Sequence, residues 1–315
     1  MVTRQLVDSH GRRVRKLRVS LTDKCNLRCH YCMPVDSTFM NPSHYLAGEE
    51  IVTIVEDLCS FGLEELRLTG GEPLMRSGFA DITARLSGLP LRKIGLTTNA
   101  VTLDRHLLHL WKDRVHHLNI SLDSLQPARF KQITHGDHLP RVLRNIEQAK
   151  DQGFSIKLNM VVMKGVNADE ISDFLELSKK WQLEVRFLEL MRIGYACGSQ
   201  AEQFISAQEM LQQLRSRYQI DSELRELDST SFNFKTECGA QFGFIASESQ
   251  AFCGQCSRWR LSADGILRAC LFKDDGLTIK GKSAGERETI YHQLLGMKPV
   301  RRPVSVFHQM NTIGG

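Results

Sequence analysis

An α/β fold built on a parallel sheet follows from three features of the sequence. Six apolar, β-branched segments of strand length recur through the first two-thirds of the chain, and segments with helical periodicity lie between them. After Leu190 the alternation stops, and a less regular region, residues 196–315, follows. Strands that alternate with helices favour right-handed crossovers and a parallel sheet. An open partial barrel of six βα units and a doubly wound sheet both satisfy this pattern. In either, a ligand belongs at the carboxyl ends of the strands.

The expected strands are Leu17–Leu21, Glu65–Thr69, Lys93–Thr98, His117–Asp123, Ser155–Met163 and Leu183–Leu190, each rich in Leu, Ile or Val. Helical periodicity covers Glu49–Phe61, Asp104–Lys112, Pro140–Gln152 and Asp169–Trp181. In the last of these, Asn167 is positioned to cap, Glu170 follows three residues later, and Ile171, Phe174, Leu175 and Trp181 form an apolar stripe. In the C-terminal region, Ser206 and Glu209 have the spacing of a capping box that opens a helix to about Tyr218, and short strands follow.

With 315 residues, 42% hydrophobic and 24% charged, the chain has the composition of a globular protein with one large domain, or a large and a small one. A division at residues 1–195 and 196–315 is expected. Residues 1–20 lack an apolar run of signal-peptide length, and no later stretch reaches 18 uninterrupted apolar residues, so a soluble cytoplasmic protein is expected, with no membrane partner. The formal charge of +5 is mild and points to no nucleic-acid partner; it carries meaning only where cations converge on an anion. Of nine cysteines, six fall into two compact groups that read as metal ligands; Cys59, Cys197 and Cys238 read as free or buried thiols.

The first group, Cys25, Cys29 and Cys32, is spaced C-x3-C-x2-C directly after the first strand. A structural zinc takes four protein ligands, and a cluster used only for electron transfer usually takes four cysteines. Three thiolates suggest a cubane cluster with one iron open to an outside ligand, against the alternative of a partial zinc knuckle. The loop resembles that of the radical S-adenosylmethionine (SAM) superfamily, whose open six-stranded partial (β/α)6 TIM-like barrel agrees with the six βα units here. The resemblance implies SAM chelated to a 4Fe-4S cluster and cleaved to a 5′-deoxyadenosyl radical. It also places Tyr31 beside the adenine. Gly70-Gly71-Glu72-Pro73 ends the second strand, where two glycines permit close backbone approach and Glu72 has the charge to accept from an ammonium group. In the superfamily this motif serves the SAM amino group. Thr97-Thr98-Asn99 and the Asn119 to Asp123 segment offer small polar side chains at the ends of the third and fourth strands.

The second group is Cys253, Cys256 and Cys270, spaced C-x2-C-x13-C, with an Asp264-Gly265 turn that returns Cys270 to the first pair. No cysteine follows Cys270, so a zinc ribbon would have to recruit a His such as His292 or His308. Together with Arg258 and Arg260 and the terminal Gly314-Gly315, the two groups make the chain similar to the GTP 3′,8-cyclase family of molybdenum cofactor biosynthesis from Arg18 to Gly315. That resemblance implies two 4Fe-4S clusters, SAM as cofactor and GTP as substrate. The radical removes the ribose 3′ hydrogen and the carbon radical closes onto guanine C8, giving the cyclised dihydroguanosine triphosphate. It assigns Tyr31, Gly71, Ser121 and Met191 to SAM, and Arg18, Arg67, Thr97, Lys157 and Arg258-Trp259-Arg260 to GTP, with Arg186 close by. It also implies a reductant such as flavodoxin or ferredoxin, a downstream cyclic pyranopterin monophosphate synthase, room for a homodimer, and a Gly-Gly tail that enters the active site. Ser257 and Ala100 depart from the family's commoner Asn and Gly.

Three competing readings are available. Gly276 to Ser283 fits the G-x4-G-K-S phosphate loop, but Asp274 and Asp275 precede it and Leu277 to Lys280 reads as strand, so it is expected to be coincidental. A peptide-modifying radical SAM enzyme would typically carry more C-terminal cysteines. A non-catalytic metal-binding module accounts for the thiolates but not for Gly-Gly-Glu-Pro or the six βα units.

Overall fold

The computed structural model describes residues 4–224, 228–304 and 306–314. Eleven strands form one sheet: β1 (Lys16–Ser20), β2 (Glu65–Thr69), β3 (Lys93–Thr98), β4 (His117–Ser121), β5 (Ser155–Val162), β6 (Glu184–Glu189), β7 (Phe232–Lys235), β8 (Gln241–Ile245), β9 (Arg258–Leu261), β10 (Ile266–Arg268) and β11 (Leu277–Thr278). Their spatial order is β11-β10-β9-β1-β2-β3-β4-β5-β6-β8-β7. The six expected strands form and pair in parallel, in sequence order, within one or two residues of the expected bounds. The sheet is not closed, which agrees with a partial barrel rather than a doubly wound sheet, since β1 to β6 follow one another without a reversal of order.

The C-terminal region extends both edges of this sheet. β8 lies parallel to β6, with Glu184 opposite Gln241, and β9 lies parallel to β1, with Lys16 opposite Arg258. β7 and β10 then add antiparallel hairpin partners. An edge strand presents unpaired N–H and C=O groups, and these additions cover the two that the six-stranded unit would expose. On the β8 side the attachment is aromatic: Phe232, Phe234, Phe242 and Phe244 pack with Phe187 of β6 at ring separations of 5.4–6.3 Å.

Strand side chains alternate between two very different surroundings. One set, including Leu17, Val19, Leu66, Leu68, Leu96, Leu118, Ile120, Leu158, Val185 and Phe187, is buried in the main hydrophobic core with the helices. The alternate positions are Arg18, Arg67, Thr97, Asn119, Ser121, Lys157, Asn159 and Arg186, all half-buried. A filled parallel barrel carries branched aliphatics at inward positions. Polar and cationic residues there leave a lumen for a polar ligand.

Helices Gly48–Ser60, Leu139–Asp151 and Ile171–Trp181 match the periodicity, whereas the Asp104–Lys112 segment divides into a 3-10 turn, Leu103–Arg105, and a helix, Leu107–Lys112. Helices Phe79–Ser87 and Pro127–Thr134 were not evident from periodicity because each is only two to three turns long. The Ser206–Glu209 capping box forms, and its helix ends at Arg215, short of Tyr218. The cap expected at Asn167 does not. Asn167 Oδ1 instead accepts from Met163 N (2.7 Å) and its amide donates to Asp123 O (2.8 Å), while buried Glu170 accepts from Ser124 Oγ and Leu125 N, both at 2.7 Å. Loop closure at the end of β4 has claimed both side chains.

The G-x4-G-K-S segment is no phosphate loop. Lys280 Nζ donates to the carbonyls of His44 (2.9 Å) and Tyr45 (3.0 Å), Gly281 N donates to Glu50 (3.0 Å), and Ser283 caps the helix Ala284–Gly296 with Glu286. The amides that would wrap a phosphate are already spent.

Trp259 is fully buried on the core face of β9, with its ring centroid 6.2 Å from that of Tyr291. Its indole therefore does not face the lumen: alternation along β9 turns Arg258 and Arg260 one way and Trp259 the other. Replacing Trp259 with Ala is expected to cost about 3–5 kcal/mol of stability through the cavity it leaves, measured by chemical denaturation.

Candidate active site

The first three-cysteine loop leaves β1 at Leu21, whose N–H donates to Thr69 O (2.9 Å), and runs along the carboxyl end of β2. Gly71 N donates to Thr22 O and Glu72 N to Lys24 O, both at 2.7 Å. A Cβ on Gly71 would collide with the carbonyl oxygens of Asp23 and Lys24, and one on Gly70, whose φ is +152°, with that of Thr22. The glycines are thus required by the cysteine loop itself, which lies backbone to backbone on them. Glu72, read from sequence as an acceptor for a ligand ammonium, is buried and accepts from Thr98 Oγ1 (2.8 Å), Asn99 N (2.8 Å) and Leu74 N (3.1 Å). It joins the ends of β2 and β3 rather than opening to a ligand.

Tyr31, between the second and third cysteines, donates from its hydroxyl to Asp123 Oδ2 (2.7 Å), and Asp123 Oδ1 accepts from Val161 N (2.9 Å). Sequence reasoning placed Asp123 only at a strand end; the structure makes it the link between the cysteine loop, β4 and β5. Ser121 is half-buried beside Asn159 in the ladder, and Met191 packs by the cluster of Ile193, Phe272, Val306 and Ile313.

The second trio lies at the opposite end of the barrel. Cys253 and Cys256 immediately precede β9, whose first residue pairs with the first residue of β1, and the Asp264-Gly265 turn returns Cys270 beside them. From Lys16 to Ser20 the strand advances on the order of 13 Å, a span that a nucleoside triphosphate can bridge. At this amino end lies a cavity of about 200 Å³ whose cationic walls include Arg18, Arg67, Lys93, Lys157, Arg186 and Arg258. The sequence placed ligands at the carboxyl ends; the cations converge instead inside the lumen and toward the amino ends. A second space of about 270 Å³, bounded by Asp228, Phe252, Gly254, Gln255 and Arg258, adjoins the second cysteine loop.

These cations repel one another in a low-dielectric interior. Burial and the neighbouring Arg260, Arg258 and Arg67 lower Arg18 well below the usual arginine value; burial and Arg186 bring Arg67 down to about 10. Burial, Lys93 and Arg67 take His117 down to about 4, so it is neutral at pH 7. Carboxylates offset part of the repulsion: Glu184 bridges Lys157 and Arg186 at 2.6 Å each, and Asp228 faces Arg15 (3.0 Å), Lys16 (3.2 Å) and Arg258 (3.5 Å). Thr97 is half-buried on the same lumen face, opposite Asn119.

The C-terminal tail reaches between the two ends. Asn311 Nδ2 donates to Asp23 O (3.2 Å), and the Gly314 carbonyl accepts from Arg260 Nη1. A Cβ on Gly314 would lie 2.6 Å from Thr69 Cγ2, so glycine is needed to enter this channel. Gly315 lies outside the described residues.

Both cysteine loops suit iron–sulfur clusters. All nine cysteines are free. Leu27 N and Phe272 N each lie 3.4 Å from a sulfur, those of Cys25 and Cys270, and Arg258 Nη1 lies 3.7 Å from the Cys256 sulfur. N–H donors aimed at thiolates are the outer-shell contacts that tune such clusters. Burial would raise the Cys256 thiol, but Lys298 and Arg258 overcome it and leave the pKa lowered. Among the described residues no three His, Cys, Asp or Glu side chains converge as a single ion demands. A cubane takes each sulfur on a different iron and needs no such convergence.

Burial pushes the Glu72 carboxyl up to about 7, from an ordinary 4.5, and Asp123 to about 6. Between the unfolded and folded values the folded chain keeps a proton that the unfolded chain releases. This stabilisation is therefore complete below the unfolded value and is lost as pH rises through the folded one. Unfolding of the anaerobic protein is expected to become easier by about 1 kcal/mol from about pH 6 to about pH 8 on account of Glu72. Glu72→Gln should flatten that slope; an equal slope in the variant would remove Glu72 as its source.

Residues 19–178 match the Radical SAM superfamily, and residues 183–299 match Molybdenum Cofactor Synthesis C. The GTP 3′,8-cyclase of Synechocystis sp. is 56% identical over 314 residues, covering 100% of this chain and 96% of that protein. The GTP 3′,8-cyclase of Listeria monocytogenes serovar 1/2a is 40% identical over 282 residues, covering 87% of this chain and 84% of its own length. Molybdenum cofactor biosynthesis protein 1 of Mus musculus is 41% identical over 299 residues, covering 92% of this chain and 46% of that longer protein. Among solved structures, Streptococcus suis SuiB bound to S-adenosylmethionine aligns with a TM-score of 0.66 at 13% identity, covering 91% of this chain and 68% of SuiB, a likeness of fold alone. Two cysteine trios at the ends of one cation-lined partial barrel, and a full-length relative at 56% identity, place the chain in the GTP 3′,8-cyclase family of the radical SAM superfamily.

Proposed function

We propose that the protein is a radical SAM GTP 3′,8-cyclase that carries out the first step of molybdopterin biosynthesis. The observation that carries this reading is the cation-lined lumen between the two cysteine trios, which the C-terminal tail enters to reach Arg260. When bound, SAM and the cluster on Cys25, Cys29 and Cys32 would supply abstraction of the ribose 3′ hydrogen atom, and closure of C3′ onto guanine C8 would be completed by one electron from the reductant and one proton.

The chain's own residues position the reactants and exclude water. Arg18, Arg67 and Lys157 project from β1, β2 and β5 into one space and suit the triphosphate, Arg as a forked donor and Lys as a point charge. The charge of GTP relieves their mutual repulsion, which raises the gain from binding a polyanion over a neutral molecule. Thr97 offers a hydroxyl on the same face. Cys253, Cys256 and Cys270 hold the second cluster beside Arg258 and Arg260, so guanine lies at that end, and the Trp259 position contributes through its backbone. On the SAM side, Tyr31, held by Asp123, takes the adenine, Ser121 and Met191 contact the cofactor, and Gly71 brings backbone close to it. Residues 1–195 thus serve SAM, and 196–315 complete the GTP end.

No described helix is long and apolar enough to cross a membrane, and the reading assigns the enzyme to the cytoplasm. Flavodoxin or ferredoxin suits the need for one-electron reduction, and cyclic pyranopterin monophosphate synthase the consumption of the product.

Anaerobic protein reconstituted with iron and sulfide, then incubated with SAM, reductant and GTP, should yield 5′-deoxyadenosine and a cyclised nucleotide by mass analysis. The Cys29→Ser variant should yield neither. Deoxyadenosine without any cyclised nucleotide from the parent protein would count against the GTP assignment.

Loss of one charge-assisted contact to phosphate costs about 1.5–3 kcal/mol, roughly ten- to a hundred-fold in affinity. Titration with GTP should show that weakening in Arg67→Ala while SAM binding is retained. Equal GTP affinity in the variant would return Arg67 to a purely structural role.

A further inference from the structure

Two buried cations grip the second cysteine loop. Arg12, 6% exposed, donates to the carbonyls of Cys253 (3.0 Å), Pro299 (2.8 Å) and Lys298 (3.0 Å). Lys298, 7% exposed, donates from Nζ to the carbonyls of Arg258 (2.7 Å) and Ala269 (3.0 Å). Ala269 immediately precedes Cys270 and Arg258 follows Cys256 by two residues, so the ammonium is fixed between the two halves of the loop.

The two cations differ in what balances them. Asp8, equally buried, ion-pairs with Arg12 at 2.6 Å. Among the described residues no carboxylate pairs with Lys298, and its ammonium lies on the carbonyls of the residues that flank Cys256 and Cys270. An ammonium taken out of water carries a desolvation penalty of several kcal/mol unless an opposite charge answers it. Thiolates gathered around an iron–sulfur cluster are such a charge, whereas three neutral thiols are not.

We infer that Lys298 is a positioning residue whose ammonium is the built-in counter-charge of the second cluster and sets that cluster's reduction potential. This rests on reading Cys253, Cys256 and Cys270 as cluster ligands. A fixed cation next to a cluster favours its more negative, reduced form, and net charge and hydrogen bonds to sulfur are the levers by which a protein sets such potentials. Lys298 supplies the charge, and its two carbonyl contacts fix it between the two halves of the loop.

The test is a redox titration of the reconstituted full-length protein, followed by electron paramagnetic resonance, for the parent, Lys298→Met and Lys298→Arg. Lys298→Met should move the second-cluster potential to a more negative value while the first cluster's signal stays in place, and Lys298→Arg should restore most of the shift. An unchanged second-cluster potential in Lys298→Met overturns the inference, as does an equal shift in both variants, which would mark a packing effect. Should Lys298→Met fail to hold the second cluster, retention in Lys298→Arg supports the counter-charge role and loss in both overturns it. A parent protein that binds only one cluster would refute the cysteine assignment itself, and this inference with it.

Discussion

Guanidinium and ammonium groups inside a β-barrel are the constraint around which this molecule is arranged. Arg18, Arg67, Lys157 and Arg186 stand on inward positions that a filled barrel gives to branched aliphatics. Their repulsion is tolerated because the fold is secured elsewhere. The opposite strand faces and the helices form a continuous apolar core, from Leu17 and Val19 through Leu118 and Ile120 to Val185 and Phe187. Hydrophobic burial on the outer face thus permits a lumen that contributes little to folding and is left for a charged ligand. Glu184 and Asp228 hold the cations at fixed distances meanwhile, each contacting more than one of them.

A second arrangement recurs at the carboxyl ends of the strands, where buried carboxylates accept from the backbone of a neighbouring loop. Glu72 ties β2 to β3, Asp123 ties the cysteine loop to β4 and β5, and Glu189 accepts from Ala207 N (2.9 Å), Glu248 N (2.8 Å) and Ser249 N (2.9 Å) at the end of β6. A carboxylate offers about four acceptor sites, so a single side chain can satisfy several loop amides that have no ladder partner. These links turn loops that carry ligands into parts of the scaffold. In the Gly-Gly-Glu-Pro motif, Glu72 is held in this way by Thr98, Asn99 and Leu74.

The C-terminal region completes the scaffold by extending it on both sides. β9 brings Arg258, Arg260 and the second cysteine trio alongside β1, and the tail then crosses the lumen to place Gly314 against Arg260 and Asn311 against the first cysteine loop. The two ends of the barrel are thereby connected by covalent chain as well as by space. A nucleotide lying between them would contact strands from both regions of the sequence.

The sequence by itself determined the six parallel strands, the two cysteine loops and the hairpin that returns Cys270, because each depends on local spacing. Alternation of apolar residues marks a strand, a C-x3-C-x2-C run directly after the first strand marks a ligand loop at that strand's end, and Asp-Gly favours a two-residue turn. It also exposed the Gly276 to Ser283 motif as coincidence, since strand-forming residues occupy the place of the wrapping loop. Tertiary structure alone decided which end of the barrel each cysteine trio occupies, that the cations face the lumen toward its amino end, and that Trp259 belongs to the core. It also decided the employment of Asn167, Glu170 and Glu72 in loop closure and the pairing of β8 and β9 with the two edges. Each of these is a contact between residues far apart in sequence, and neither periodicity nor spacing encodes which face of a strand meets a partner tens or hundreds of residues away.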